Sequence, residues 1–289
     1  MFYIIITILL NVVISSLFKL FPKYKIDALQ AIVANYCVCV ITGSLFIGHN
    51  TFTSASLQQA WFPWALLMGA GFISIFNLIA FCTRVDGITT ATIANKLSLV
   101  IPVLFSIFLY HEGSGVGKIA GIVLAVPAVY LATRVQGDGG QSQKLVWPAL
   151  LFLGSGLLDT LVKYVQITFL NSQELQATYT IYCFAVAGVA GIITVTVLVL
   201  TKKITLAPRN IIAGICIGVP NYFSIYFLIR ALNSNMMQSS AIIPVINIGI
   251  LVASSLVAIL LFREQVNKQR IAGLILSVIA ILLIALGDK

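Results

Sequence analysis

Along this chain the apolar positions come in long unbroken blocks, without the alternation of a half-exposed strand or the one-sided stripe of a soluble helix. The blocks lie near 1–21, 28–48, 61–83, 88–110, 118–133, 146–168, 176–200, 210–231, 238–262 and 271–287. Each is close to the roughly 17–25 residues that a helix needs to cross a bilayer. The pattern therefore predicts an all-α membrane protein with ten transmembrane helices. The main polar interruption, "RVQGDGGQSQK", falls near the midpoint and has the composition of a flexible linker.

The two sides of that linker repeat one another. "LQAIVANYC" (29–37) aligns with "LQATYTIYC" (175–183), pairing Tyr36 with Tyr182 and, further on, Arg84 with Arg230. After a gap of six residues the register resumes. Asn95 then matches Asn247, Glu112 matches Glu264, and "KIAGIVLAV" (118–126) matches "RIAGLILSV" (270–278). This divides the chain into an N-terminal five-helix repeat (1–133), a linker (134–145) and a C-terminal five-helix repeat (146–289). Five spans is an odd number, so the second copy must enter the membrane from the opposite side. Inverted repeats of this kind are a recurrent plan of secondary transporters, with a substrate site near the midplane.

Composition agrees with a membrane location: 60% of the residues are hydrophobic and only 9% are charged, where soluble domains carry about 25% charged residues. The net charge of +9 comes from basic residues scattered between the apolar blocks, which is unlike a nucleic-acid-binding stripe. Lys19, Lys23, Lys25, Arg84, Arg134, Lys144, Lys202, Lys203, Arg209, Arg263, Lys268 and Arg270 fall in loops after odd-numbered spans, whereas Lys118, Arg230 and Lys289 fall on the other side. The positive-inside rule then places the odd loops in the cytoplasm and both termini outside. The five cysteines sit inside apolar blocks with no metal-site spacing and read as small apolar residues. The first block lacks a basic leader and a small-residue cleavage site, so it is expected to remain as the first span.

The duplicated five-span unit, together with the helix ends "YHE" (110–112) and "FRE" (262–264) followed by "KIAGIVL" and "RIAGLIL", resembles the drug/metabolite transporter superfamily, in particular its EamA-type ten-helix members. The resemblance covers nearly the whole chain. It implies a helical bundle with a central cavity that opens alternately to the two sides, in a bacterial inner membrane. It also implies cytoplasmic termini, against the charge asymmetry. Its phosphate-exchanging branch holds substrate with basic residues.

The polar residues inside the blocks are the candidate site. Lys96 stands near the middle of "ATIANKLSLVIPVLFSIFLY" (91–110), where a charge costs about 2.5–3.5 kcal/mol on insertion scales and usually has a task. With Asn95 beside it and Asn247 at the repeated position, it forms a candidate cradle for a carboxylate or phosphate; the competing reading is snorkelling and interhelical glue. Asp159 and Lys163 are spaced i,i+4, which lets them neutralise each other; alternatively Asp159 pairs with Lys96 or carries a coupling proton. Tyr36, Asn77, Tyr182, Asn221 and Tyr222 are further cavity candidates. Trp61 and Trp64 suit an interfacial belt, and the pairs Glu112/Lys118 and Glu264/Arg270 suit structural clamps. Pro102, Pro127, Pro220 and Pro244 mark kinks within spans, unevenly placed in the two halves. "GICIG" (214–218) and "GVAG" (188–191) suit close helix approach.

These features point to a secondary transporter for a small polar or amphipathic metabolite, with an anion as one option. No catalytic residue, metal or cofactor is expected, and no Walker A loop is present to use ATP directly. An intramembrane enzyme would need a reactive cluster, yet the chain has two histidines, His49 and His111, both near loops. A membrane scaffold would need no polar group at mid-depth. The expected partners are a small-molecule substrate and the lipid bilayer, not nucleic acid, with monomer and homodimer both open.

Overall fold

A computed structural model describes residues 2–48, 51–110, 115–133, 146–232, 239–265 and 267–286. The linker at 134–145, Glu112, His49 and His111 lie outside them. The described residues are helical, with no strand among them. In chain order the helices are α1 (Phe2–Leu20), α2 (Ala28–Ile47), α3 (Ser54–Leu57), α4 (Phe62–Val85), α5 (Ile88–Leu97), α6 (Val100–Tyr110), α7 (Val116–Thr133), α8 (Val146–Phe169), α9 (Gln173–Leu200), α10 (Pro208–Leu232), α11 (Ser239–Leu260) and α12 (Lys268–Leu286).

Among the described residues, nine helical segments are long and apolar enough to cross a membrane, α5 and α6 counting together as Ile88–Phe108, and α7 supplies a shorter apolar helix. They coincide with the ten blocks of the sequence. The short α3, formed by "SASL", has no apolar signal and is not legible in the hydropathy pattern.

The helices form two compact units, each drawing on both halves of the sequence. The first unit contains residues 1–19, 78–157 and 224–289. Its core joins Ile93 and Leu97 of α5, Ala125 and Ala128 of α7, Leu251 of α11 and Ala280 and Ile281 of α12. Gly121 brings α7 close to α12: a Cβ there would lie 2.7 Å from the Ala280 carbonyl oxygen. A smaller core packs Ile4 of α1 on Ala231, Ile242, Ile246 and Ile250.

The second unit contains residues 20–77 and 158–223. Here α2 packs against α9. Gly191 of α9 has room for no Cβ, because Val33 of α2 and Ile73 of α4 occupy the space. Gly214 and Gly218 of α10 lie against the α2 backbone around Ala31 and Asn35, so the "GICIG" stretch does serve close approach. Trp61 departs from the belt expected of it. It is only 2% exposed and stacks edge-on against Tyr179 and Tyr182, as part of the core around Met68 and Val165.

Candidate functional site

The span carrying Lys96 is two helices in line. α5 ends at Leu97, Ser98 and Leu99 form a turn, and α6 begins at Val100. Pro102 falls in the first turn of α6, where the N–H it lacks would have no intrahelical partner in any case. By contrast Pro244 lies inside the uninterrupted α11, and Pro127 and Pro220 lie inside α7 and α10. The fourth span is thus interrupted where α11, aligned with it in the second half, is continuous.

Lys96 occupies the last turn of α5 and is half-buried. The carbonyl end of a helix carries partial negative charge, so this is a favourable place for an ammonium. Its neighbour Asn95 is held on both sides. The Asn95 side-chain amide donates to Ser155 Oγ of α8 at 3.0 Å, and the Ser98 hydroxyl donates to the Asn95 carbonyl at 2.5 Å. Asn247 is half-buried on α11, which packs against α5. The first unit therefore brings Asn95, Lys96 and Asn247 onto two helices in contact.

The remaining candidates belong to the second unit. Asp159 is exposed and Lys163 half-buried on α8. Asn77 turns its amide back to the Ile73 carbonyl at 2.8 Å. Asn221 is buried and donates to Asn35 Oδ1 at 3.1 Å, with Cys39 Sγ at 3.6 Å. Tyr36 is 1% exposed between Phe76 and Phe184, with its hydroxyl unpartnered. The Tyr182 hydroxyl donates to the Thr51 carbonyl and accepts from the Thr53 N–H, both at 3.3 Å, so it ties down the segment before α3. Tyr222 is half-buried against Phe46 and Phe223.

Sequence reasoning missed three buried polar clusters. Asn35 is one half of the Asn35–Asn221 pair. Gln30 accepts from Asn210 at 2.8 Å and donates to the Thr205 carbonyl at 3.0 Å, while Asn210 Oδ1 takes the Asp27 N–H at 3.1 Å. The third cluster lies where α4 turns into α5. Glu264, beyond α11, accepts from the Ile88 N–H at 2.7 Å and the Thr89 hydroxyl at 3.2 Å, and pairs with Lys19 Nζ at 3.1 Å. Arg270 donates to the Asp86 carbonyl at 3.1 Å. The expected clamp exists here, but both of its members grip the α4–α5 turn. Its only sequence signal was the repeated acid–base spacing. Among the described residues no three His, Cys, Asp or Glu side chains are grouped to hold a metal ion.

Comparison with known proteins adds little to this geometry. No family model matches the chain. An uncharacterised protein of Haemophilus influenzae is 29% identical over 293 aligned positions, covering 99% of this chain and 98% of its own. One solved crystal structure superposes with a TM-score of 0.53 at 13% identity, covering 96% of this chain and 95% of its own. The chain thus shares its fold, over nearly its whole length, with a protein of known structure.

Proposed function

We propose that this multi-pass membrane protein is a secondary transporter for a small polar or amphipathic metabolite with an anionic group, working by alternating access between two inverted repeats. The observation that carries the reading is the break at Ser98–Leu99 beside Asn95 and Lys96. Interrupted transmembrane helices place backbone ends and polar side chains at mid-depth, which is how many secondary transporters build their sites. A charge in such a span is retained at a cost of several kcal/mol unless it has a use.

Support for the repeat comes from helix pairing. α2 packs on α9, α5 on α11 and α7 on α12, and each of these pairs joins helices that the two sequence registers align. A pseudo-twofold axis brings equivalent helices together in this way. Lys118 and Arg270, also aligned, are both buried.

In this reading Lys96 supplies the charge for the anionic group, Asn247 supplies donors and acceptors, and Ser155 and Ser98 hold Asn95 in place. The resemblance to EamA-type transporters supports the same class and the bacterial inner membrane. The test is a melting screen of purified protein against a metabolite library. Ligands that bind only the folded state raise its apparent stability, and those recognised by Lys96 must lose their effect in Lys96→Met.

A further inference from the structure

The α4–α5 turn holds a buried carboxylate oxygen for which the described residues provide no donor. Asp86 closes α4, its N–H donating to the Cys82 carbonyl at 2.7 Å, and Gly87 then turns the chain with a φ of 95°. The side chain is buried, and its Oδ2 has no hydrogen-bond partner. The nearby cations make their hydrogen bonds to other acceptors. Arg270 of α12 spends its two terminal nitrogens on the carbonyls of Asp86 and Gln265, and its Nε is itself buried without an acceptor. Lys19 of α1 is paired with Glu264. The Glu264 carboxylate lies against the neighbouring Gly87, where a Cβ would come within 2.5 Å of its Oε1. Cys82 contributes a buried thiol, and Arg84 is exposed, with its guanidinium over Phe81.

Two acids thus share two bases, but the hydrogen bonds are divided unequally. Glu264 receives Lys19 and the first N–H of α5; Asp86 Oδ2 receives no bond from the described residues. A buried carboxylate in that position is stabilised by taking up a proton, which removes the charge and supplies a donor of its own. Burial pushes the Asp86 carboxyl above its ordinary range, and the Arg270 guanidinium opposes this only in part.

We propose that Asp86 is a proton-binding site, whose carboxylate takes a proton from water and whose charge state sets how firmly the start of α5 is held to α12. The proton site stands on the local geometry alone. Its consequence for substrate rests on the transport reading, because α5 ends in Asn95 and Lys96.

The experiment uses the full-length protein in detergent or bilayer and two readouts that need no substrate. Infrared difference spectra between about pH 8 and about pH 5 should show a carboxylic-acid carbonyl band that grows in above the pH range in which free aspartate titrates, absent in Asp86→Asn. Thermal unfolding tests the sign. A folded pKa raised above the unfolded one gives a stability contribution that is complete at low pH and lost as pH rises through the folded value. Asn mimics the neutral acid, so Asp86→Asn should melt above the parent at about pH 8 and converge with it on acidification. A band that survives Asp86→Asn, or a variant that melts below the parent at about pH 8, would overturn the proposal, since Asp86 would then be an ordinary counter-ion to Arg270. A failure of Lys96→Met to affect transport leaves both readouts untouched.

Discussion

Replacing Glu264 tests whether the α4–α5 turn is held as described. Its carboxylate acts as the N-cap of α5 from 176 residues away, accepting from Ile88 N–H at 2.7 Å and from Thr89 Oγ1 at 3.2 Å. It also pairs with Lys19 at 3.1 Å, with side-chain exposures of 24% for Lys19 and 8% for Glu264. Loss of an N-cap costs about 0.5–2 kcal/mol. Removing one member of a fully buried pair costs about 3–5 kcal/mol, but Lys19 keeps access to solvent, so only part of that applies. Glu264→Ala should therefore destabilise by about 2–4 kcal/mol. Glu264→Gln keeps an acceptor for Ile88 N–H and loses the charge, and should cost about half as much. At about 2–4 °C per kcal/mol for a chain somewhat shorter than this one, the alanine variant should melt roughly 5–12 °C below the parent in detergent. Hydrogen exchange at Ile88 and Thr89 should accelerate in the same variant. An alanine variant that melts within about 1 °C of the parent, with unchanged exchange at those amides, would refute the reasoning.

Two further predictions use the second unit. Gly191→Ala should destabilise by about 1–3 kcal/mol through overpacking against Val33 and Ile73, whereas Gly188→Ala, whose Cβ would meet Tyr36 at an ordinary 3.7 Å, should be nearly neutral; equal melting points for the two would contradict the packing. Asn221→Leu strands Asn35 and should cost about 0.6–1.7 kcal/mol, while the double variant Asn35→Leu/Asn221→Leu should recover much of that loss; strictly additive melting shifts would mean that the pair is not coupled.

The spans were legible because membrane insertion is written in runs of apolar residues, and all ten blocks became helices. The break in the fourth span was not, because Ser98 and Leu99 are as apolar in context as their neighbours. Pro102 was its one local signal, and a proline in an apolar run indicates a disturbance without saying whether the helix continues, as at Pro244, or stops. Lys96 could be singled out because a charge in lipid is expensive wherever it points. Asn35, Gln30 and Asn210 could not, since an amide in a span is cheap enough to be ordinary and its partner lies more than 170 residues away. Glu264 shows the intermediate case. Spacing marked it as structural, yet Lys19 and the α5 N-terminus are its partners through tertiary contact that no local pattern encodes. Trp61 failed the other way: its position at a span end suits a membrane interface, and the aromatic cluster around Tyr179 and Tyr182 draws it inward.

The central claim is that Lys96 serves a transported anion. The direct measurement is counterflow in proteoliposomes, using a metabolite that raises the melting point of the protein, with the parent and Lys96→Met reconstituted at equal density. Methionine retains much of the stem's length and its apolar contacts while removing the charge, so the variant should insert and melt much like the parent. The account predicts saturable exchange by the parent, its loss in Lys96→Met, and partial recovery in Lys96→Arg, which restores the charge with a different shape. Undiminished exchange by Lys96→Met would contradict it.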